Sequence, residues 1–397
     1  MGNEAGKVEQ QLELLLAETV DAARHRETEA FDNLGGSDSG QIVLCGAGNL
    51  GRRTLAGLRK VGIEPACFVD NNEARWGQSI DGLSLLSPEE GASRYGERAT
   101  FVVTIWGALG TDRMNSRIAR LRQMGCKIVV SFVSLYWKYS DIFLPHYTID
   151  QPHQVLLQGG QVREAFYSMA DLESRREYLE QLRFRLFGDF SCLSNPVQGD
   201  IYFQDDLFHL KNDEIFVDCG AFDGDTINLF LEKAARSFGR IIAFEPDPTN
   251  FQQLRQKVST FPPEIGERIS LLEAATGERD SEVPMAVGAG PSSQLGLGDW
   301  QVKCVTLDSV LKDVPISIIK MDIEGSELAA LSGSRLLIKQ FSPVLTVSAY
   351  HKQDDLWNIP LFIRKLNPDY SLHLRPHMLE GWDLVCYAIP SYRCLQR

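Results

Sequence analysis

Apolar residues follow two different rhythms along this chain. Between residues 7 and 31, Leu12, Leu15, Leu16 and Val20 fall at helical spacing among Glu, Gln and Ala, which predicts one amphipathic helix. Its apolar stripe is expected to pack on the domain that follows. A breaker-rich stretch over residues 33–40 then reads as a linker. From Gln41 the rhythm changes to short apolar runs at 42–45, 66–69, 100–105 and 127–131, separated by helical segments that include 52–61 and 112–124. Residues 152–190 carry no strand pattern, and 162–187 place apolar residues at three- and four-residue steps amid many charges, as a helical connector would. A second alternation of strand-like and helical segments starts at Glu214 and runs to the C-terminus. Strands alternating with helices predict an α/β chain: two Rossmann-like, doubly wound parallel sheets joined by a helical connector. The expected division is 1–40 (helix and linker), 41–150 (first Rossmann-like domain), 151–203 (connector) and 204–397 (second domain).

Composition narrows the choice of partner. Lys and Arg number 40 against 53 Asp and Glu, a formal charge of −13. That balance argues against nucleic acid as substrate, because binding to a phosphate backbone needs clustered basic residues. The eight cysteines include no C-x-x-C pair and lie mostly in apolar runs, as in VLCGAG and FVDCGA; they read as buried small side chains in a reducing compartment. The N-terminus has no apolar signal core and no run is long enough to cross a bilayer, so a cytoplasmic protein without membrane attachment is expected.

The second alternation carries the richer chemistry. A strand, Ile-Phe-Val-Asp218, enters Cys219-Gly220-Ala-Phe-Asp-Gly224, and the next strand ends at Glu245, close to the spacing of about 20 residues typical of a nucleotide fold. Glycines there let the backbone approach a ligand, and a carboxylate at the tip of the second strand can accept hydrogen bonds from both ribose hydroxyls. Such a pattern serves a dinucleotide or S-adenosylmethionine. Two details favour the latter: Asp218 lies just before the loop, where a methionine ammonium would come, and Phe222 interrupts the literal G-x-G-x-x-G.

Four segments, VDCGAFDGDT, IIAFEPDPTNFQQL, VTLDSVL and IKMDIEGSELAALSG, in this order and spacing, resemble the FkbM-type methyltransferases. The resemblance spans roughly Gln204 to Pro390, and Phe222 fits it, since the FkbM-type loop tolerates a bulky residue there. It implies a class I methyltransferase fold with S-adenosyl-L-methionine as cofactor. Asp218, Gly220 and Gly224 would frame the methionine half and Glu245 the ribose diol. Glu273 and Ala274 would lie against the adenine, with Asp247 and Pro248 shaping the turn after Glu245. The activity implied is methylation, expected on a hydroxyl oxygen of a sugar, polysaccharide precursor or small metabolite.

Methyl transfer from a sulfonium requires an aligned acceptor and removal of one proton. The fourth strand of this half delivers Asp322 and Glu324, and the fifth delivers Tyr350 and His351. His351 is the expected base, because an unperturbed imidazole titrates near pH ~6.5; helix capping is its alternative role. Asp322 is expected to orient acceptor or donor. Lys320, inside an apolar strand, needs a carboxylate, for which Asp322 or Glu324 is available. No metal is expected, because the carboxylates that would complete a Mg²⁺ site after the fifth strand are replaced by Tyr350-His351. The glycine-rich stretch 288–298 reads as a lid over the acceptor or as a hairpin turn.

The first alternation holds the literal fingerprint: Gly46, Gly48 and Gly51 follow a strand and open a helix, and Asp70 ends the next strand. No hydride-transfer centre follows it. This stretch, in CGAGNLG, FVDNN and TIWGA, resembles the Rossmann-like accessory domains found beside sugar-modifying enzymes, which implies a nucleotide or nucleotide-sugar ligand or a purely structural role. Arg75, Trp76 and Trp106 are candidates to line its cleft. Two alternatives to the methyltransferase stand: an NAD-dependent oxidoreductase run by the first domain, and a non-catalytic nucleotide-binding protein.

Overall fold

A computed structural model describes residues 2–35, 40–107, 112–286 and 298–395. The chain forms two compact units. One comprises Met1–Gly160, Leu179–Asn195 and Met378–Trp382; the other comprises Gln161–Tyr178, Pro196–His377 and Asp383–Arg397. The residues read as a connector are helical, in Pro152–Leu157, Gly159–Ser168 and Leu172–Phe187, and are shared between the units.

In the first unit the predicted single N-terminal helix is two, Gly2–Leu15 and Val20–Asn33. The break is local chemistry: Thr19 takes an extended conformation and its hydroxyl accepts the Ala22 N–H at 3.2 Å, capping the second helix. Phe31 from that helix joins the unit's core. The sheet contains β1 (Ile42–Cys45), β2 (Cys67–Val69), β3 (Ser79–Ile80), β4 (Leu83–Leu86), β5 (Thr100–Val103) and β6 (Ile128–Ser131), in the order β3-β4-β2-β1-β5-β6. All pairings are parallel except β3 with β4. The central strands are buried on both faces, which is why they read as continuous apolar runs and not as alternations. The β3–β4 hairpin was not visible in the sequence pattern.

The second unit has a seven-stranded sheet built from β7 (Ile215–Cys219), β8 (Arg240–Phe244), β9 (Ile269–Leu272), β13 (Ile318–Met321), β14 (Val344–Ser348), β15 (Tyr370–Pro376) and β16 (Leu384–Pro390). A small sheet of β10 (Ala275–Thr276), β11 (Ser281–Met285) and β12 (Trp300–Val305) accompanies it. The large sheet runs β15-β16-β14-β13-β7-β8-β9, parallel from β9 to β14, with β16 antiparallel to both its neighbours. The strand order reverses between β7 and β13, so a crevice opens at their carboxyl ends, the place where ligands bind in doubly wound sheets. The expected lid at 288–298 lies, apart from Gly298, outside the described residues, as do 36–39 of the linker. Among the described residues, no helix is long and apolar enough to cross a membrane.

Candidate active site

The crevice of the second unit is organised by one ion pair beneath its floor. Parallel pairing sets Lys320 of β13 directly beside Asp218 of β7, and Lys320 Nζ lies 3.0 Å from Asp218 Oδ1, both side chains buried. The same ammonium donates to the Gly220 carbonyl at 2.7 Å and sits 5.4 Å over the Tyr202 ring. Burial pushes Asp218 up to about 6, against the pull of Lys320. Burial would lower Lys320, but Asp218 and Asp322 hold it above its usual value. At neutral pH the pair is therefore ionised. The expected partners of Lys320, Asp322 or Glu324, are corrected to Asp218, because register and not sequence proximity decides which carboxylate faces it. Asp218 is likewise not poised in the open for a methionine ammonium; its carboxylate is fully buried and tethered under the turn.

The turn above requires glycine at two points. Gly220 has φ +82°, and a Cβ there would lie 2.0 Å from the Asp322 carbonyl oxygen. Gly224, at φ +87°, starts the helix Asp225–Lys233. Between them Phe222 also takes positive φ, 47°, a costly conformation for a bulky residue. Its N–H is thereby aimed at Glu245, donating to Oε2 at 2.9 Å. The other carboxylate oxygen, Oε1, accepts from Asp247 N–H at 2.9 Å and from Asn250 Nδ2 at 3.4 Å. Asp247 in turn caps the helix Pro248–Ser259. Glu245 is thus held rigidly at the strand tip, and burial raises it to about 6 in spite of those hydrogen bonds. Beyond β9, Ala274 is buried and Glu273 exposed.

Across the crevice, Asp322 gathers a cluster. Tyr202 Oη donates to its Oδ2 at 2.8 Å, and Tyr350 Oη to its Oδ1 at 3.5 Å. His351 Nε2 is 3.5 Å from the same Oδ1 and 3.8 Å from Glu324. His351 Nδ1 meets Glu327 Oε1 at 2.9 Å, and that oxygen also accepts the N–H groups of Ile323 and Gly325. Burial alone would lower the His351 pKa; Glu327, Asp322 and Glu324 instead lift it to about 10. These carboxylates favour the imidazolium at neutral pH, the form opposite to the one the expected role as base requires. Asp322, although burial opposes ionisation, is held below the usual carboxylate range by Lys320 and His351. Asp383 also belongs here, pushed up to about 6 by burial and the Asp322 charge.

Sequence reasoning did not find Tyr202, Glu327 or Asp383. Glu327 stood inside IKMDIEGSE, where its spacing from Asp322 was a usable signal; Tyr202 and Asp383 lie in turns with no motif around them. As for metal, Asp322, Glu327 and His351 can bring ligand atoms within 4.8 Å of one another. The donor set fits a metal poorly. Among the described residues three donors converge there, one of them an imidazole nitrogen, whereas Mg²⁺ prefers oxygen ligands in octahedral number.

In the first unit, Gly46 has φ +110°, and a Cβ at Gly51 would sit 1.9 Å from the Gly46 carbonyl oxygen. Gly48 begins the helix Asn49–Lys60 without a side-chain cap. Asp70 Oδ2 accepts Ala47 N–H and its Oδ1 accepts Asn72 N–H, both at 2.9 Å. Arg75 Nη2 reaches the Ala47 carbonyl at 3.4 Å and Trp76 donates to the Asp70 carbonyl at 2.7 Å. Trp106 does not line this cleft; it packs among Phe132, Phe184 and Trp382, and donates to the Glu380 carbonyl.

The doubly wound sheet, with an acid at the tip of its second strand and a carboxylate–tyrosine cluster at the fourth, has a class I methyltransferase fold. Residues 218–374 match the methyltransferase FkbM domain family. The chain is similar to the crystal structure of Methyltransferase FkbM from Methylobacillus flagellatus, with a TM-score of 0.77 and 22% sequence identity, over 93% of this chain and 99% of that one. At that identity the likeness is one of fold, and it extends over nearly the whole of both chains. A precorrin-6y C5,15-methyltransferase from Geobacter metallireducens aligns with 46% of this chain and 84% of its own, at 15% identity and a TM-score of 0.30, too low to carry weight. No curated protein matches the sequence.

Proposed function

We propose that the second unit transfers a methyl group from S-adenosyl-L-methionine to a hydroxyl oxygen of a small molecule or sugar. The observation that carries this is the pairing of two carboxylates across one crevice: Glu245, oriented by two backbone N–H groups, and Asp322, ionised and flanked by two tyrosine hydroxyls. S-adenosylmethionine supplies, when bound, a methyl group on a positively charged sulfur. Glu245 holds the ribose hydroxyls, and Gly220 and Gly224 keep the turn low enough for the backbone to approach. Asp218 neutralises Lys320 and so fixes the Gly220 carbonyl from below. The ring of carboxylates (Glu245, Asp322, Glu324, Asp383) gives the crevice a negative potential suited to a sulfonium.

Asp322 receives the acceptor's hydroxyl proton, and Tyr202 and Tyr350 orient that hydroxyl. The imidazolium of His351, locked by Glu327, keeps Asp322 ionised, which makes His351 a positioning residue. Oxygen is the favoured atom because an ionised carboxylate is matched to a hydroxyl, which must donate a hydrogen bond as it gives up its proton. The net charge of −13 favours an acceptor other than nucleic acid.

Calorimetry with S-adenosylhomocysteine tests this. Losing charge-assisted hydrogen bonds to a ribose diol costs about 1.5–3 kcal/mol, so Glu245→Ala should weaken binding at least tenfold. Asp322→Asn should bind it normally but lose methyl transfer. Unchanged affinity in the first variant overturns the cofactor assignment; unchanged turnover in the second overturns the role of Asp322.

A further inference from the structure

We propose that the first unit holds a second ligand site, for the diphosphate and ribose of a nucleotide, and that this site does not take the methyl donor. Asp70 is held as Glu245 is: each carboxylate oxygen accepts one backbone N–H at 2.9 Å, one from the glycine turn and one from two residues onward. A carboxylate fixed in this way at a strand tip presents its remaining lone pairs to a vicinal diol. The cleft beside it is lined by Gly46, Asp70, Asn71, Pro88, Arg120 and Met124, an apolar wall for a base next to polar groups for its sugar.

The electrostatics then separate the two ligands. The parallel register that sets Asp218 beside Lys320 in the second unit sets Leu44 beside Val102 in the first, and Thr104 stands where Asp322 does, one residue past the paired strand. The carboxylates that attract a cation are absent at those places. The cations nearby are Arg75 beside the Ala47 carbonyl, and Arg117 and Arg120 along the cleft. Arg117 is paired with Glu380 and Asp112, and Arg120 with Asp112; Asp70 is the acid at the turn. The three arginines are thus matched by three acids, and the surround lacks the acidic excess that a sulfonium meets in the second unit.

The glycines of the turn differ in what requires them. Gly46 and Gly51 are demanded by the protein itself, through positive φ at one and a 1.9 Å approach at the other. Gly48 is not: its φ is −82°, and a Cβ there would meet nothing within 4 Å. Glycine leaves room at that point for a group arriving from outside, at the amino end of the twelve-residue helix Asn49–Lys60, where N–H groups and the helix dipole favour phosphate.

The test is calorimetry on the full chain with ADP, UDP, a UDP-sugar, NAD⁺ and S-adenosylhomocysteine. At least one nucleotide diphosphate should bind, and the choice among them identifies base and appended group. Gly48→Asp should weaken that binding at least tenfold by repelling phosphate. It should also leave the melting temperature unchanged or higher, since Asp is a good helix N-cap. Asp70→Ala should weaken it comparably. Neither variant should alter S-adenosylhomocysteine affinity. No binding of any of the four nucleotides, binding indifferent to both substitutions, or displacement of the nucleotide by S-adenosylhomocysteine would each overturn the proposal. Failure of the methyltransferase reading would show instead as loss of S-adenosylhomocysteine binding with nucleotide binding intact.

Discussion

Strands β1 and β7 both run into a glycine at positive φ, Gly46 at +110° and Gly220 at +82°, and both turns donate an N–H to an acid on the neighbouring strand tip. The backbone device is the same in the two units. What differs is the side chains at matched register positions. Beneath the second turn lies an ionised pair, Asp218 with Lys320; beneath the first lie Leu44 and Val102, both fully buried. Past the neighbouring strand stands Asp322 in one and Thr104 in the other, whose hydroxyl merely donates to the carbonyls of Cys45 and Gly46. One frame thus carries different side-chain chemistry, because a doubly wound sheet exposes the same few positions at its switch point while leaving their chemistry open.

The sharpest way to break this comparison is to make one unit like the other. Lys320→Met strands Asp218 as a buried, uncompensated charge and should lower unfolding stability by about 3–5 kcal/mol, read from urea denaturation. The double variant Asp218→Leu/Lys320→Val, which copies the first unit, should recover most of that loss. A single variant as stable as the parent would show that the pair is not ionised.

Smaller effects come from the glycines. Gly220→Ala forces a Cβ against the Asp322 carbonyl in a strained conformation and should cost about 1–3 kcal/mol. Gly48→Ser, in open space at a helix N-cap, should change the urea midpoint little or raise it. Equal losses at both would erase the distinction between glycines the protein needs and one that a ligand needs.

A pH profile sharpens the electrostatic side. His351 has a folded pKa of about 10, above its unfolded value, so its stabilisation is complete below pH ~6.5 and is lost as pH rises through about 10. Stability should therefore decline between pH 7 and 10, and His351→Gln should flatten that slope. An unaltered slope would remove the imidazolium from the site. Cofactor affinity should instead fall on the acid side, below about pH 6, as Glu245 takes up a proton. The smallest expected effect is none at all: methyl transfer to a confirmed acceptor should survive EDTA. Turnover abolished by chelation and restored by Mg²⁺ would show that Asp322, Glu327 and His351 hold a metal after all.

The central strands of both large sheets, both glycine turns, and the strand-end places of Asp70 and Glu245 were legible in the chain alone. Each depends on local chemistry: apolar runs that must be buried, glycines that must take positive φ, and a carboxylate a fixed number of residues beyond them. The break at Thr19 was equally local, yet a single capping hydroxyl is easily lost within a longer helical pattern. Which charges meet was decided only by tertiary structure. Lys320 finds the Gly220 carbonyl 100 residues away, and Tyr202 finds Asp322 across 120. His351 kept its predicted place but changed its chemistry, because Glu327, Asp322 and Glu324 around it outweigh burial and favour the cation. Periodicity carries burial, but pairing depends on strand register and on turns packed from remote parts of the chain, and pKa follows pairing.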